Sequence, residues 1–213
     1  MAVEIAKSTK YWESLSRKIQ SPTETKNKRP DTSDLEVSFL MDFLKAEDEV
    51  LDIGSGSGLI INKLIDKVGH ITAVEKYEGF TRFIVEDEKM LVINAEIIGF
   101  KMRKLYDAVL CFGVAQCFER EVMTGIYSNM YEMIKSGGLL IVRTHCGLET
   151  DKIIDGFSEE LQTEYYAEYR QVDKEEALLR SLGFEAVKRY DIFPDTLNVW
   201  PDTRHFIFVC KKA

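Results

Sequence analysis

The residues best suited to bind a ligand are a glycine-rich turn and a carboxylate that follows it. The turn, Gly54-Ser55-Gly56-Ser57-Gly58, comes directly after the apolar run Val50–Ile53. Glycine suits a tight strand-to-helix turn because it adopts backbone angles that a Cβ resists, and because a ligand can approach its bare main chain. A second apolar run, Ile71–Glu75, ends in a carboxylate. That carboxylate can accept hydrogen bonds from both hydroxyls of a ribose lying across the turn.

The spacing of the glycines distinguishes between two kinds of nucleotide-binding turn. A dinucleotide-binding turn of the form GxGxxG requires glycine at position 59, where this chain has Leu59. The form present is GxGxG, which argues against a dinucleotide. Such a turn can also be purely structural, and the downstream carboxylate is what favours ligand binding.

The elements that must position these residues alternate in type. Short β-branched runs alternate with amphipathic stretches of helical length, which is typical of a parallel sheet with crossover helices and therefore of the α/β class. The predicted strands are Glu49–Ile53, Ile71–Glu75, Leu91–Asn94, Asp107–Phe112, Gly138–Thr144, Glu185–Asp191 and Arg204–Lys211. The predicted helices are 3–20, Thr32–Leu44, Gly58–Asp66, Gly79–Glu86, Glu121–Ile134 and Lys174–Leu182.

One domain over residues 1–213 accommodates these elements. N-terminal helices at residues 1–48 form a lid, and the ligand-binding core follows at residues 49–145. A lid insertion covers residues 146–172, and a C-terminal helix with strands covers residues 173–213. The insertion is expected to be irregular and tyrosine-rich. It is predicted to be functional because long insertions in compact domains usually are.

Two further segments complete a resemblance to a known family. Tyr106–Val114 resembles its fourth strand and the following turn, and Ile134–Val142 resembles a helix end and the fifth strand. With the glycine turn and Glu75, they make residues 49–145 similar to a class I (Rossmann-like) S-adenosylmethionine-dependent methyltransferase. The resemblance implies a doubly wound, mostly parallel seven-stranded sheet with the last strand antiparallel. It also implies S-adenosylmethionine as cofactor and S-adenosylhomocysteine as product.

The resemblance also assigns a cofactor-binding set. Asp52 and the turn would hold the methionine part, Glu75 the ribose, and Lys76 would lie beside the adenine. Where the family commonly has an Asp-Ala pair, this chain has Asn94-Ala95, whose uncharged acceptor should bind the adenine amino group less strongly. The full set is Asp52, Gly54, Ser55, Gly56, Gly58, Glu75, Lys76, Asn94, Ala95, Phe112 and Gly113.

The methyl acceptor is expected beside the ends of the fourth and fifth strands, because ligands lie outside the carboxyl ends of open parallel sheets. His145 is the candidate general base, since an ordinary pKa of about 6.5 leaves much of it neutral at physiological pH. A hydrogen-bonded structural role is the alternative. Arg29 can bind a phosphate or carboxylate in bidentate fashion. Alternatively, its side chain is simply solvated. The candidate substrate-binding residues are Tyr11, Arg29, Gln116, Arg143 and Tyr165, of which the tyrosines can instead pack in the core.

Charge and composition narrow the partners. A formal net charge of −8 argues against nucleic acid, which needs a concentrated basic face. Because no apolar run approaches the roughly 20 residues of a membrane helix, and no signal peptide is recognisable, we expect a cytoplasmic protein without a membrane partner. The four scattered cysteines predict reduced thiols and no metal site. The sequence is compatible with a homo-oligomer.

These observations predict a methyltransferase that acts on an oxygen or nitrogen of a small molecule or a glycan unit. Methyl transfer from a sulfonium depends mainly on close, aligned reactants. A base matters when a hydroxyl acceptor must lose its proton. The competing hypothesis is a non-catalytic S-adenosylmethionine-binding or interaction module.

Overall fold

A seven-stranded sheet lies at the centre of the computed structural model, which describes residues 2–27, 29–198 and 200–213, with side chains from Ser8 onwards. The described strands are β1 Glu49–Ile53, β2 His70–Glu75, β3 Met90–Asn94, β4 Tyr106–Phe112, β5 Ile134–Gly147, β6 Lys152–Ser158, β7 Thr163–Tyr169, β8 Ala186–Tyr190 and β9 Thr203–Lys211. The order in the sheet is β3-β2-β1-β4-β5-β9-β8. Strands β1 to β5 are parallel, and β9 is antiparallel to β5 and β8. The predicted Rossmann-like α/β fold is confirmed.

Both faces of the sheet are covered, which explains why its central strands are continuous apolar runs. Val50 and Leu51 of β1 are both fully buried, although consecutive strand residues point to opposite faces. Leu51 packs in a cluster with Met123 and Tyr127. Val50 packs in a second cluster with Leu64. The end of β1, where the glycine turn begins, is therefore held from both sides.

Except for the last one, the helices are shorter than the sequence pattern predicts. They are α1 Ala2–Ser16, α2 Ser33–Leu40, α3 Ile61–Leu64, α4 Glu78–Thr81, α5 Arg120–Glu132 and α6 Val172–Ser181. The prediction Gly58–Asp66 is reduced to α3 with a short 3-10 turn, and Gly79–Glu86 is reduced to α4. After α4, the N–H groups of Phe83 and Ile84 donate to carbonyls three residues back, so the chain tightens and leaves α-helical geometry.

The insertion at 146–172 is regular, and the expectation of an irregular segment is wrong. Strand β5 continues to Gly147, and β6 and β7 then pair as an antiparallel hairpin. Tyr165 of β7 contacts Tyr11 of α1, with ring centroids 5.4 Å apart. Residues of α1 and the hairpin lie over the glycine turn. Their role as lids stays a prediction.

Three further findings concern the cysteines, membrane-spanning helices and metal-binding groups. All four cysteines are buried and free. In the part of the chain that the structure describes, no helix combines the length and apolarity needed to cross a membrane. Among the same residues, no three His, Cys, Asp or Glu side chains lie close enough together to hold a metal ion.

Candidate active site

A cavity of about 410 Å³ opens at the carboxyl ends of β1, β2, β4 and β5, a size typical of small-molecule sites. The strand ends and the glycine turn form one side, and Trp12 of α1 with Tyr165 of β7 covers the other. The predicted site residues that line it are Arg29, Asp52, Gly54, Ser55, Gly56, Glu75, Lys76, Phe112, Gly113, Gln116, Arg143, His145 and Tyr165. Those outside the lining are Tyr11, Gly58, Asn94 and Ala95.

Main-chain geometry explains the glycines of the turn. Gly54, Gly56 and Gly58 have φ angles of 75°, 54° and 77°, which side-chain-bearing residues rarely adopt. A Cβ at Gly54 would also overlap Val114 Cγ2. At Gly56, by contrast, no atom lies within 4 Å of the position that a Cβ would occupy. The main chain at Gly56 is therefore open to a ligand.

Glu75 links the end of β2 to this turn. Its Oε2 accepts a hydrogen bond from Gly56 N–H at 3.0 Å, and its Oε1 accepts one from Tyr77 N–H at 3.0 Å. Burial raises the pKa of Glu75, while these main-chain donors oppose the rise. An ionised carboxylate offers about four acceptor positions, so two remain for the hydroxyls of a ribose.

Asp52 is a buried carboxylate on the cavity wall. Its exposed fraction is 5%, and burial, reinforced by the nearby charge of Glu75, raises its pKa to about 7. No described residue donates a hydrogen bond to its side chain. A cationic group placed beside Asp52 would favour the ionised carboxylate and lower that pKa.

The wall beside Lys76 differs from the sequence prediction. Lys76 Nζ forms an ion pair with Glu96 Oε2 at 2.6 Å, and Glu96 and Ile97 line the cavity. Asn94 instead donates from Nδ2 to the Glu75 carbonyl at 3.2 Å, because the β2–β3 register sets Asn94 beside Glu75. Asn94 and Ala95 lie outside the cavity lining, and their contact with the adenine stays a prediction. Glu96, which directly follows this pair, lines the cavity and was not among the predicted site residues.

His145 lies at the cavity in an aromatic stack. Its ring centroid is 4.1 Å from that of His205 and 4.2 Å from that of Tyr169, and its Nε2 is 2.9 Å from Thr203 Oγ1. Burial, with repulsion from Arg143, lowers the pKa of His145 to about 3. At this pKa the side chain is neutral at physiological pH, and its role as general base stays a prediction.

Three of the predicted substrate-binding residues lie in different environments. Gln116 Nε2 donates to the Gly113 carbonyl at 2.8 Å. Burial raises the pKa of Tyr165 well above its ordinary value. Tyr11 lies behind the lining and hydrogen-bonds Asn27. The side chains that the predicted site set lacks include Trp200, which lines the cavity, and the fully buried Glu36.

The fold and the site together define a class of protein. A parallel sheet of this order places a GxGxG turn after β1 and a carboxylate at the end of β2 on one cavity. This is the arrangement of a class I S-adenosylmethionine-dependent methyltransferase. Residues 51–142 match the family model described as a methyltransferase domain. This match spans less than half of the chain and makes residues 51–142 similar to a methyltransferase domain.

Individual relatives agree with this assignment. A ubiquinone biosynthesis O-methyltransferase of Rickettsia canadensis is 31% identical over 101 residues, a match that spans 45% of this chain and only 42% of that protein. The structure of a DhpI–S-adenosylhomocysteine complex has a TM-score of 0.74 at 12% identity, covering 100% of this chain and 98% of its own. The structure of the N-methyltransferase NodS of Bradyrhizobium japonicum with S-adenosylhomocysteine has a TM-score of 0.69 at 13% identity. The match covers 95% of this chain and 98% of NodS. At these identities the two structures establish the fold.

Proposed function

We propose that this chain is an enzyme that transfers the methyl group of S-adenosylmethionine to a small molecule or a glycan unit. The observation that carries the proposal is the hydrogen bond from Gly56 N–H to Glu75 Oε2, at 3.0 Å. Because of this contact, a carboxylate that can accept hydrogen bonds from a ribose lies beside a main chain that is open to a ligand, in one cavity. The same cavity continues past Gly113 to Arg143 and His145, which leaves room for an acceptor.

The residues of the cavity fit the chemistry of this cofactor. Glu75 retains acceptor positions for two ribose hydroxyls, and Asp52 offers a buried carboxylate to the α-ammonium group of the methionine part. When bound, the cofactor supplies an electrophilic methyl group on a sulfonium. The chain's contribution is to align the acceptor with that methyl and to exclude water, and Trp12 and Tyr165 cover the site.

The low pKa of His145 restricts the acceptors that suit this site. A histidine whose pKa is about 3 gives little help in removing a proton from an ordinary hydroxyl. A neutral amine, or a hydroxyl that is already ionised when it binds, needs no such help. We therefore propose an acceptor of this kind, with either nitrogen or oxygen as the attacking atom.

A non-catalytic S-adenosylmethionine-binding module is the second candidate, and the weakness of His145 as a base also favours it. Two measurements separate the candidates. S-Adenosylhomocysteine at a hundred times its dissociation constant should stabilise the folded chain by about 2.7 kcal/mol, measured as a rise in melting temperature. Radiolabelled S-adenosylmethionine should then label members of a panel of small amines and phenols.

Each outcome of these measurements decides between the candidates. Absence of any thermal shift with S-adenosylhomocysteine contradicts both candidates. A thermal shift without labelling of any panel member contradicts the enzyme and supports the binding module. A thermal shift with labelling supports the proposed transferase.

A further inference from the structure

Among the residues that the structure describes, three cationic side chains line the part of the cavity that includes Gln116, His145 and Tyr165. We call this part the acceptor half. Lys26 and Arg29 come from the segment before α2, and Arg143 comes from β5. The side chains of Lys26 and Arg143 are only 13% and 15% exposed. Cations removed from water to this degree need compensating negative charge.

The segment that carries Lys26 is fixed to the glycine turn. Ser57 Oγ donates to the Pro22 carbonyl at 2.7 Å and lies 3.2 Å from Thr25 Oγ1. Arg29 lies further along the same segment, 5.4 Å above the centroid of a Trp200 ring. The cationic groups are therefore held by the fold at the cavity and are not free surface side chains.

The protein supplies too little negative charge to satisfy these three groups. Glu36 is fully buried between two of them, with Oε1 at 3.0 Å from Arg143 Nε and Oε2 at 3.4 Å from Lys26 Nζ. The contact between Arg143 Nε and Glu36 Oε1 is an ion pair without hydrogen-bond geometry. Arg29 is 3.5 Å from Glu160, and both are partly exposed. Asp31 also acts on Lys26, but it is shared with Lys63 at 4.0 Å.

The terminal nitrogens of Arg143 are available to a ligand. They donate no hydrogen bond to any residue that the structure describes. Gly113, at φ of 76°, leaves the space beside them open, since a Cβ there would lie 3.2 Å from Nη2. With Nε facing Glu36, the outer edge of the guanidinium keeps the fork geometry that binds an oxyanion in bidentate fashion.

The surrounding groups respond to this positive field. Repulsion from Arg143 adds to burial in lowering the pKa of Lys26, of His145 and of His205. An anion bound among them would relieve that repulsion.

We infer that the acceptor half binds an anionic group, a carboxylate or a phosphate, carried by the methyl acceptor, with Arg143, Lys26 and Arg29 as its ligands. This inference rests on the proposed function, because it assigns the acceptor to the half of the cavity opposite Glu75. The aromatic rings of Tyr169 and Trp200 line the same half, so a planar acid fits it.

Three small probes of the same shape test the inference. The full chain, saturated with S-adenosylhomocysteine, is titrated calorimetrically with benzoate, phenyl phosphate and neutral benzamide. We expect at least one of the anions to bind about tenfold or more tightly than benzamide, with affinity that falls as NaCl rises. Tighter binding of benzoate identifies a carboxylate site, and tighter binding of phenyl phosphate identifies a phosphate site.

Variants assign the binding to the named residues. Arg143→Gln and, separately, Arg29→Gln should each weaken binding of the preferred anion by about tenfold or more, while benzamide binding is unchanged. Arg143→Lys should restore part of the loss. Arg189→Gln is the matched control, because Arg189 pairs with Asp173 outside the cavity. If Arg143→Gln fails to fold, Arg29→Gln still tests the site.

The outcomes separate this inference from the function on which it rests. Equal affinity for benzamide and both anions, or unchanged anion affinity in the foldable variants, overturns the anion site. Failure of the wild-type chain to bind S-adenosylhomocysteine contradicts the proposed function itself. Binding of S-adenosylhomocysteine without preference for anions leaves the methyltransferase standing and removes only the anionic acceptor.

Discussion

Binding of the cofactor should release a proton from Asp52 near neutral pH. Burial raises the pKa of this carboxyl to about 7 in the cofactor-free chain. The α-ammonium group of S-adenosylhomocysteine, placed beside Asp52 as proposed, favours the ionised carboxylate and lowers that pKa. The bound state therefore holds fewer protons than the free state, and affinity must rise as pH rises through 7.

The size of this effect follows from the fraction of Asp52 that is protonated before binding. With a pKa of about 7, binding should release about 0.9 proton at pH 6, about 0.5 at pH 7 and about 0.1 at pH 8. Integrated over that range, affinity for S-adenosylhomocysteine should increase by about tenfold from pH 6 to pH 8.

Calorimetry in two buffers measures the released proton directly. S-Adenosylhomocysteine is titrated at each pH in two phosphate-free buffers that have pKa values near 7 and different ionisation enthalpies, and the difference in apparent enthalpy gives the number of protons. Asp52→Asn should bind without this release, whereas Asp66→Asn, a matched change at an exposed carboxyl, should behave like the wild type. Equal enthalpies in both buffers at pH 6 and 7, or undiminished release in Asp52→Asn, would refute the reasoning.

Three further changes test other parts of the site. Glu75→Ala should cost about 1.5–3 kcal/mol of S-adenosylhomocysteine affinity by calorimetry, the range for hydrogen bonds to a charged group, and unchanged affinity would remove Glu75 from the site. His145→Asn should keep both cofactor affinity and transfer to a neutral amine in a radiolabel assay, and selective loss of transfer would restore its role as a base. Gly54→Ala should destabilise the chain by about 1–3 kcal/mol in urea unfolding, because its φ is 75° and its Cβ would overlap Val114 Cγ2; an unchanged midpoint would contradict that geometry.

The sheet and the glycine turn were predictable because local chemistry dictates both. Strand β1 is buried on both faces, so its sequence is a continuous apolar run, and the turn after it requires glycine at Gly54 and Gly56. The hairpin of β6 and β7 was missed because its outward face mixes Ile153, Asp155 and Phe157. That mixture of exposed apolar and acidic residues does not show the polar outer face that a half-buried strand usually presents.

The sequence predicted Arg29, Gln116, Arg143 and Tyr165 as substrate-binding residues. It could not predict the counter-ion of Arg143, because that contact joins distant segments. Glu36 lies two residues after Asp34 in a short helix, and from the sequence it resembles a solvated carboxylate. Only the docking of that helix against β5 brings Glu36 to Arg143 and turns it into a fully buried counter-ion. Similarly, the low pKa of His145 arises from burial and from Arg143, neither of which a histidine in a sequence reveals.

The cavity separates charge in a way that the formal net charge of −8 conceals. Asp52 and Glu75 lie on the side proposed for the cofactor, whereas Lys26, Arg29 and Arg143 lie on the side inferred for the acceptor. A cofactor with an ammonium and a sulfonium matches the first side, and an anionic acceptor matches the second.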